Sequence, residues 1–216
     1  MIKYLVINFK KKLCTKSMTS KGETGMQHKG TIRMETERLV LRPLEIEDAK
    51  NMFQNWSNDP EVTKFLTWPA NKEIKMAEDI LEIWKSQYEK SDFYQWGIVP
   101  KSFGEVIGTI SVVELDERVE KVQIGYCIGR KWWSQGYTTE AFAAIISFLF
   151  EEVGVNRIEA MYDLRNPGSG KVMKKCGLQY EGTLRQAGWS NSGIGDMAMY
   201  SILASEYFQK HNDAKI

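Results

Sequence analysis

Between Val122 and Gly154 the hydrophobic period of this chain changes once. Val122 to Ile128 alternates along VQIGYCI, the run GRKWWSQGYTTE breaks the pattern, and Ala141 to Val153 (AFAAIISFLFEEV) is apolar on nearly every side until Gly154. Alternation predicts a strand, and a helix apolar all round must lie against a sheet rather than on the surface. A strand, a polar turn with one glycine and a buried helix therefore follow one another. At such a junction the first backbone N–H groups of the helix have no partner within it, and the positive end of the helix dipole stands behind them. Residues 134–139 (Ser134, Gln135, Gly136, Tyr137, Thr138, Thr139) then offer a site for a phosphate or pyrophosphate, with Gly136 admitting the anion close to the backbone. The competing reading is an ordinary helix cap, in which Ser134, Thr138 or Thr139 satisfies the free donors.

The other elements follow from the same rules. ERLVLRPL after Met34 alternates as a first strand, and Ala49, Met52, Phe53 and Trp56 recur at helical spacing until Asn58-Asp59-Pro60. A second short helix runs through Val62 and Phe65, and Ile74 to Tyr88 forms an amphipathic helix. Phe93 to Pro100, Val106 to Val113 and Val122 to Ile128 read as an antiparallel meander. After the buried helix come a strand at Arg157 to Leu164, a short helix at Gly170 to Cys176 closed by Gly177, and strands at Tyr180 to Gln186 and Met197 to Leu203. Antiparallel strands with helices inserted between them predict an α+β layered fold, and the helix between the fourth and fifth strands lets those two lie parallel.

With 216 residues, 43% hydrophobic and 26% charged, the chain can build one sizeable core. A net charge of +1 gives no global field for nucleic acid, so a basic site must be local. Cys14, Cys127 and Cys176 are scattered, which suits a reducing cytoplasm better than a disulfide scaffold. The two histidines, His28 and His211, fall outside the part that reads as folded, which argues against histidine-based metal or triad chemistry, and no metal is expected. Residues 1–33 read as a disordered extension, because the apolar run Tyr4 to Phe9 is far short of a membrane span and KKK interrupts any signal-peptide pattern. A single domain is expected over residues 34–210.

PGSGKV, at residues 167–172, lacks the glycine and the Ser or Thr that a nucleoside-triphosphate loop requires; Arg165 and Val172 stand in those places. GYTTEA lacks the three glycines of a dinucleotide fingerprint.

The turn resembles the acyl-CoA-binding motif of the Gcn-related N-acetyltransferase (GNAT) superfamily, a strand followed by Gln/Arg-x-x-Gly-x-Gly/Ala at a helix start. Trp133 stands at the first place, Gly136 matches, and Thr138 replaces the last small residue. Trp133 and the string GY-T-EA are similar to the RimJ/RimL ribosomal-protein-type branch. LRNPGSGKVMKKCGLQYEG matches that branch at Asn166, Ser169, Gly177, Leu178, Glu181 and Gly182, as does the ending through Asp196, Tyr200 and Leu203. The likeness runs from about Met34 to Tyr207.

The resemblance implies a mostly antiparallel sheet of about seven strands flanked by helices and splayed between strands four and five. It implies acetyl-CoA as cosubstrate, held by Tyr126, Cys127 and Ile128 through their main chain, by residues 134–139 and by Asn166. The acetyl group would pass directly to a primary amine, a protein N-terminus or a small molecule. Ser169, where the branch places a serine, is the candidate donor to the departing thiolate; capping of the short helix is the alternative. The Glu and Tyr that alanine-acetylating members use as acid and base are replaced by Met161 and Met173, leaving the base to Glu114 or a water chain. This replacement motivates a second reading, a non-catalytic acyl-CoA sensor. Trp84 is expected in the core, with Trp68 and Trp189 as acceptor-pocket candidates. No nucleic-acid or membrane partner is expected, and the protein is expected to be a monomer or homodimer.

Overall fold

A computed structural model describes residues 25–213. The meander runs β1 (Met34–Glu35), β2 (Leu39–Arg42), β3 (Gln95–Pro100), β4 (Gly108–Asp116) and β5 (Lys121–Ile128), each antiparallel to the last. Between β2 and β3 lie α1 (Ala49–Met52), α2 (Pro60–Thr63) and α3 (Ile74–Gln87). The buried helix α4 (Tyr137–Phe148) follows β5, widens into a π turn at Leu149–Val153 and ends at Gly154, where φ is 77°. Then come β6 (Arg157–Asp163), α5 (Pro167–Lys175), β7 (Gln179–Ser190), β8 (Gly193–Leu203) and α6 (Ala204–Asp213).

The eight-stranded sheet has the order β1-β2-β3-β4-β5-β6-β8-β7, with β5 and β6 its one parallel pair. It exceeds the expected seven because Met34–Glu35 folds back on β2 as a separate strand. Parallel pairing covers only Lys121 to Gln123 against Arg157 to Glu159. From Ile124 on, β5 keeps β4 on one side and leaves β6, so the sheet opens there.

Helices cover both faces. Phe142, Ile145 and Ile146 of α4 and Leu149 of the π turn pack with Trp96, Ile98, Ile110 and Ile124, while Met52, Ala77 and Leu81 of α1 and α3 form a second core with Leu44, Val99 and Val106. Every residue of β3 is consequently buried, as befits a strand covered on both sides.

Residues 25–33 belong to this body, although an extension was expected up to residue 33. The buried Trp96 indole N–H donates to Ile32 O at 2.7 Å, and Thr31 Oγ1 donates to Phe93 O and accepts from Gln95 N, both at 2.9 Å. His28 Nδ1 lies 2.9 Å from Tyr94 Oη, and His211 sits on α6, so both histidines lie inside the fold after all. The patterning missed this because the segment docks through polar and backbone groups, which leave no hydrophobic period. Residues 1–24, with Cys14, fall outside the described residues. Among the described residues no helix is long and apolar enough to cross a membrane, and no cluster of three or more His, Cys, Asp or Glu could hold a metal.

Candidate active site

The opening between β5 and β6 continues into a cleft of about 560 Å³ bounded by the α4 and α5 N-termini. Tyr126, Cys127 and Ile128 of β5, Ser134, Gly136, Tyr137, Thr138 and Thr139 of the turn and α4, and Asn166 and Ser169 at the start of α5 all line it. Gln135 does not. Its side chain turns back to Lys131 O (2.8 Å) and its carbonyl accepts from Arg38 Nη1 (3.2 Å), so it braces the turn.

The turn adopts its shape through two left-handed residues, Ser134 (φ 62°) and Gly136 (φ 84°). Gly136 is the N-cap of α4 and no side chain caps that end. The expected alternative, a cap by Ser134, Thr138 or Thr139, is therefore not what the backbone shows, and the first N–H groups of the helix stay available. A Cβ on Gly136 would come within 3.3 Å of Arg38 Nη2. Trp133 explains its own presence: its indole N–H donates to Ile128 O at 2.8 Å, tying the turn to the end of β5.

Arg38 was absent from the sequence reading. Its guanidinium lies 4.7 Å from the Tyr137 ring, and its Nε donates to Glu140 at 2.6 Å. Glu140, in the first turn of α4, also accepts from Arg38 N (2.8 Å) and Thr36 Oγ1 (2.6 Å). Burial tends to raise the Glu140 pKa, but these donors outweigh it and hold the carboxyl below its usual value. This acid anchors the helix start to the β1–β2 connection.

Lys171 and Lys175, four residues apart on α5, also line the cleft, while no Asp, Glu or His among the described residues does. The cleft is thus locally basic in a chain of net charge +1, and such a lining suits a polyanion. The spacing of the two lysines was legible in sequence; their facing the cleft was not.

Deeper in, Tyr126 Oη donates to Ser169 O at 3.0 Å and lies 2.9 Å from Ser169 Oγ. Burial pushes the Tyr126 pKa up, so the phenol stays protonated. Cys127 Sγ lies 3.5 Å from Thr109 Oγ1, and burial raises its pKa as well, which makes it a poor nucleophile. Burial pushes the Cys176 thiol up to about 12.

Val62, Phe65 and Leu66, from α2 and the loop after it, also line the cleft. Trp68 and Trp189 do not line the cleft; Trp189 is 61% exposed on β7, and Trp132 and Trp133 are the tryptophans at the site. Trp84 is half-buried against the second core rather than fully inside. Glu114 is exposed past the β4 bulge and away from the cleft. Met161 is half-buried on β6 and Met173 packs in the core.

A family profile described as an acetyltransferase (GNAT) domain matches residues 38–179. The chain is 34% identical over 172 residues to the "Uncharacterized N-acetyltransferase p20" of Bacillus licheniformis, spanning 80% of this chain and 96% of that protein. It is 26% identical over 162 residues to the ribosomal protein uS5-alanine N-acetyltransferase of Escherichia coli K12, spanning 70% and 80%. Among solved structures, Microcin C7 self immunity acetyltransferase MccE, in complex with acetyl-CoA and AMP, shares the fold with a TM-score of 0.70 at 21% identity, over 78% of this chain and 93% of that one.

Proposed function

The chain belongs to the GNAT acetyltransferase family and is an N-acetyltransferase, and from that premise we propose that it moves the acetyl group of acetyl-CoA directly onto an α-amine bound in the cleft. The carrying observation is the cleft itself: uncapped helix N–H groups, two lysines and, among the described residues, no acid, together with the uncharged Val62, Phe65 and Leu66. The pyrophosphate would meet the N–H groups of residues 134–139, with Lys171 and Lys175 toward the phosphates. The pantetheine arm would follow the unpaired side of β5 from Ile128 to Tyr126, where β6 has diverged.

In the transfer, the amine lone pair attacks the thioester carbonyl carbon, the C–S bond breaks, and the thiolate takes a proton. Ser169 Oγ–H is the proposed donor, and Tyr126 Oη, 2.9 Å away, relays to it the proton that the amine releases to water, so that both hydroxyls end the turnover protonated. Orientation of the two substrates supplies much of the acceleration. Since no carboxylate or imidazole among the described residues lines the cleft, the amine must arrive neutral and lose its second proton to water. At pH 7 about a tenth of an α-amine is neutral, against about one lysine side chain in 2,500. No feature of the site favours the non-catalytic sensor reading.

The test is a mass-spectrometric screen of peptides and small amines with acetyl-CoA, seeking a gain of one acetyl group. Peptide α-amines should react ahead of lysine side chains, and kcat/KM should rise with pH up to the pKa of the acceptor itself. A bell-shaped profile independent of the acceptor would point to a base within the protein. Acetyl-CoA should raise the melting temperature, since a ligand at a hundredfold excess over its Kd stabilises by about 2.7 kcal/mol.

A further inference from the structure

The two-residue turn joining β7 and β8, Asn191 and Ser192, reaches across to the loop that carries Phe65 and Leu66. Asn191 Nδ2 donates to Thr63 O at 2.8 Å and to Trp68 O at 2.7 Å, its backbone N–H donates to Leu66 O at 3.1 Å, and Ser192 Oγ donates to Lys64 O at 2.9 Å. The same turn also holds the residue that leads into α5. Arg165 donates to Ser192 O at 3.0 Å while its Nε donates to Asp163 at 2.8 Å, and the next residue is Asn166 at the cleft.

Asparagine in a hairpin turn usually serves the left-handed backbone. Here Gly193 takes that role with φ 81°, and Asn191 is not left-handed. Its amide is used instead for its two N–H donors, both spent on carbonyls more than 120 residues away in sequence. Asn191 is itself exposed, so water can replace these bonds at little cost to global stability. What water cannot replace is the position of the loop.

We propose that Asn191 is a positioning residue for the acceptor: the β7–β8 turn braces residues 63–68 against the Asn166–Ser169 wall and sets the width of the acceptor end of the cleft. This rests on the reading of the cleft as the acetyl-transfer site, with CoA at the α4 end.

Asn191→Asp keeps the shape and removes both donors. Hydrogen exchange of residues 63–68, which needs no acceptor, should quicken about tenfold or more. For the best-acetylated amine of the screen, KM should rise about tenfold with kcat changing less, while acetyl-CoA Kd and melting temperature stay within about twofold and a few degrees of wild type. Asn191→Gln, which restores an amide one methylene further out, should recover part of the KM. Unchanged exchange overturns the brace. Faster exchange with unchanged KM overturns the acceptor assignment, and a matching loss of CoA affinity or melting temperature would make Asn191 merely structural. If no amine is acetylated, the acetyl-transfer reading fails, the acceptor role falls with it, and exchange alone still decides the brace.

Discussion

Gly136 is the residue on which the proposed anion site turns. Its φ of 84° suits glycine, and a side chain there meets Arg38. Gly136→Asp adds bulk, strain and negative charge where the proposed anion would sit. Acetyl-CoA Kd should rise at least about tenfold, roughly 1.4 kcal/mol, in a protein that still folds. Titration calorimetry beside a melting curve measures both, and unchanged affinity in a folded variant removes the turn from the site. Ser169 makes a different claim. Ser169→Ala should lower kcat by about 10²-fold or more with acetyl-CoA Kd nearly unchanged, because a general acid acts in the transition state. If kcat holds, Ser169 belongs to the structure of α5 and the thiolate is protonated by water.

At the scale of elements, the start of α4 is held by Glu140 and the donors Thr36 Oγ1, Arg38 N and Arg38 Nε. Glu140→Ala leaves these donors without their acceptor and should cost about 1–3 kcal/mol, and acetyl-CoA should bind more weakly because the turn loses its anchor. Because the folded carboxyl titrates below its ordinary value, its contribution is fully present above about pH 4.3 and is lost as pH falls through the folded value. The gap between wild-type and variant melting temperatures should therefore narrow on acidification below that point. A constant gap down to pH 2 would show that the loss is one of packing rather than charge. Across the sheet, Arg157 of β6 spans β8 to reach Glu181 of β7 at 2.6 Å, and Ser201 also donates to that carboxylate. The hydrogen bond from Arg157 chiefly, then that from Ser201, holds Glu181 down to about 2. Its contribution has the same sign, fully present above about pH 4.3 and lost as pH falls toward about 2.

For the whole molecule, the segment 25–33 closes the sheet over β3. A chain begun at Met34 loses the acceptor of the Trp96 indole and both bonds through Thr31. At about 1 kcal/mol for each of the three net bonds, about 3 kcal/mol should go, lowering the melting temperature by about 6–12 °C. Calorimetry of the truncated protein checks this, and an unchanged transition would return the boundary to Met34.

The order of strands and helices, the buried α4 and the helix-start turn were legible because period and punctuation are local: a residue's neighbours two to four positions away reveal which face it buries. Ser134, Gly136 and Ser169 could be singled out on that ground together with the family likeness. Contacts over long separations left no such mark. Arg38 meets Glu140 across 102 residues and Asn191 meets Thr63 across 128, and each polar side chain reads in sequence as an ordinary surface residue. The wall of Phe65 and Leu66, the docking of residues 25–33, and the exposure of Trp189 likewise depend on what the sheet brings alongside. Sequence determined the order of strands and helices and the glycine turn at which α4 begins. The tertiary structure decided which distant side chains surround that point, because hydrogen bonds and ion pairs are set by distance in space, which composition and period do not encode.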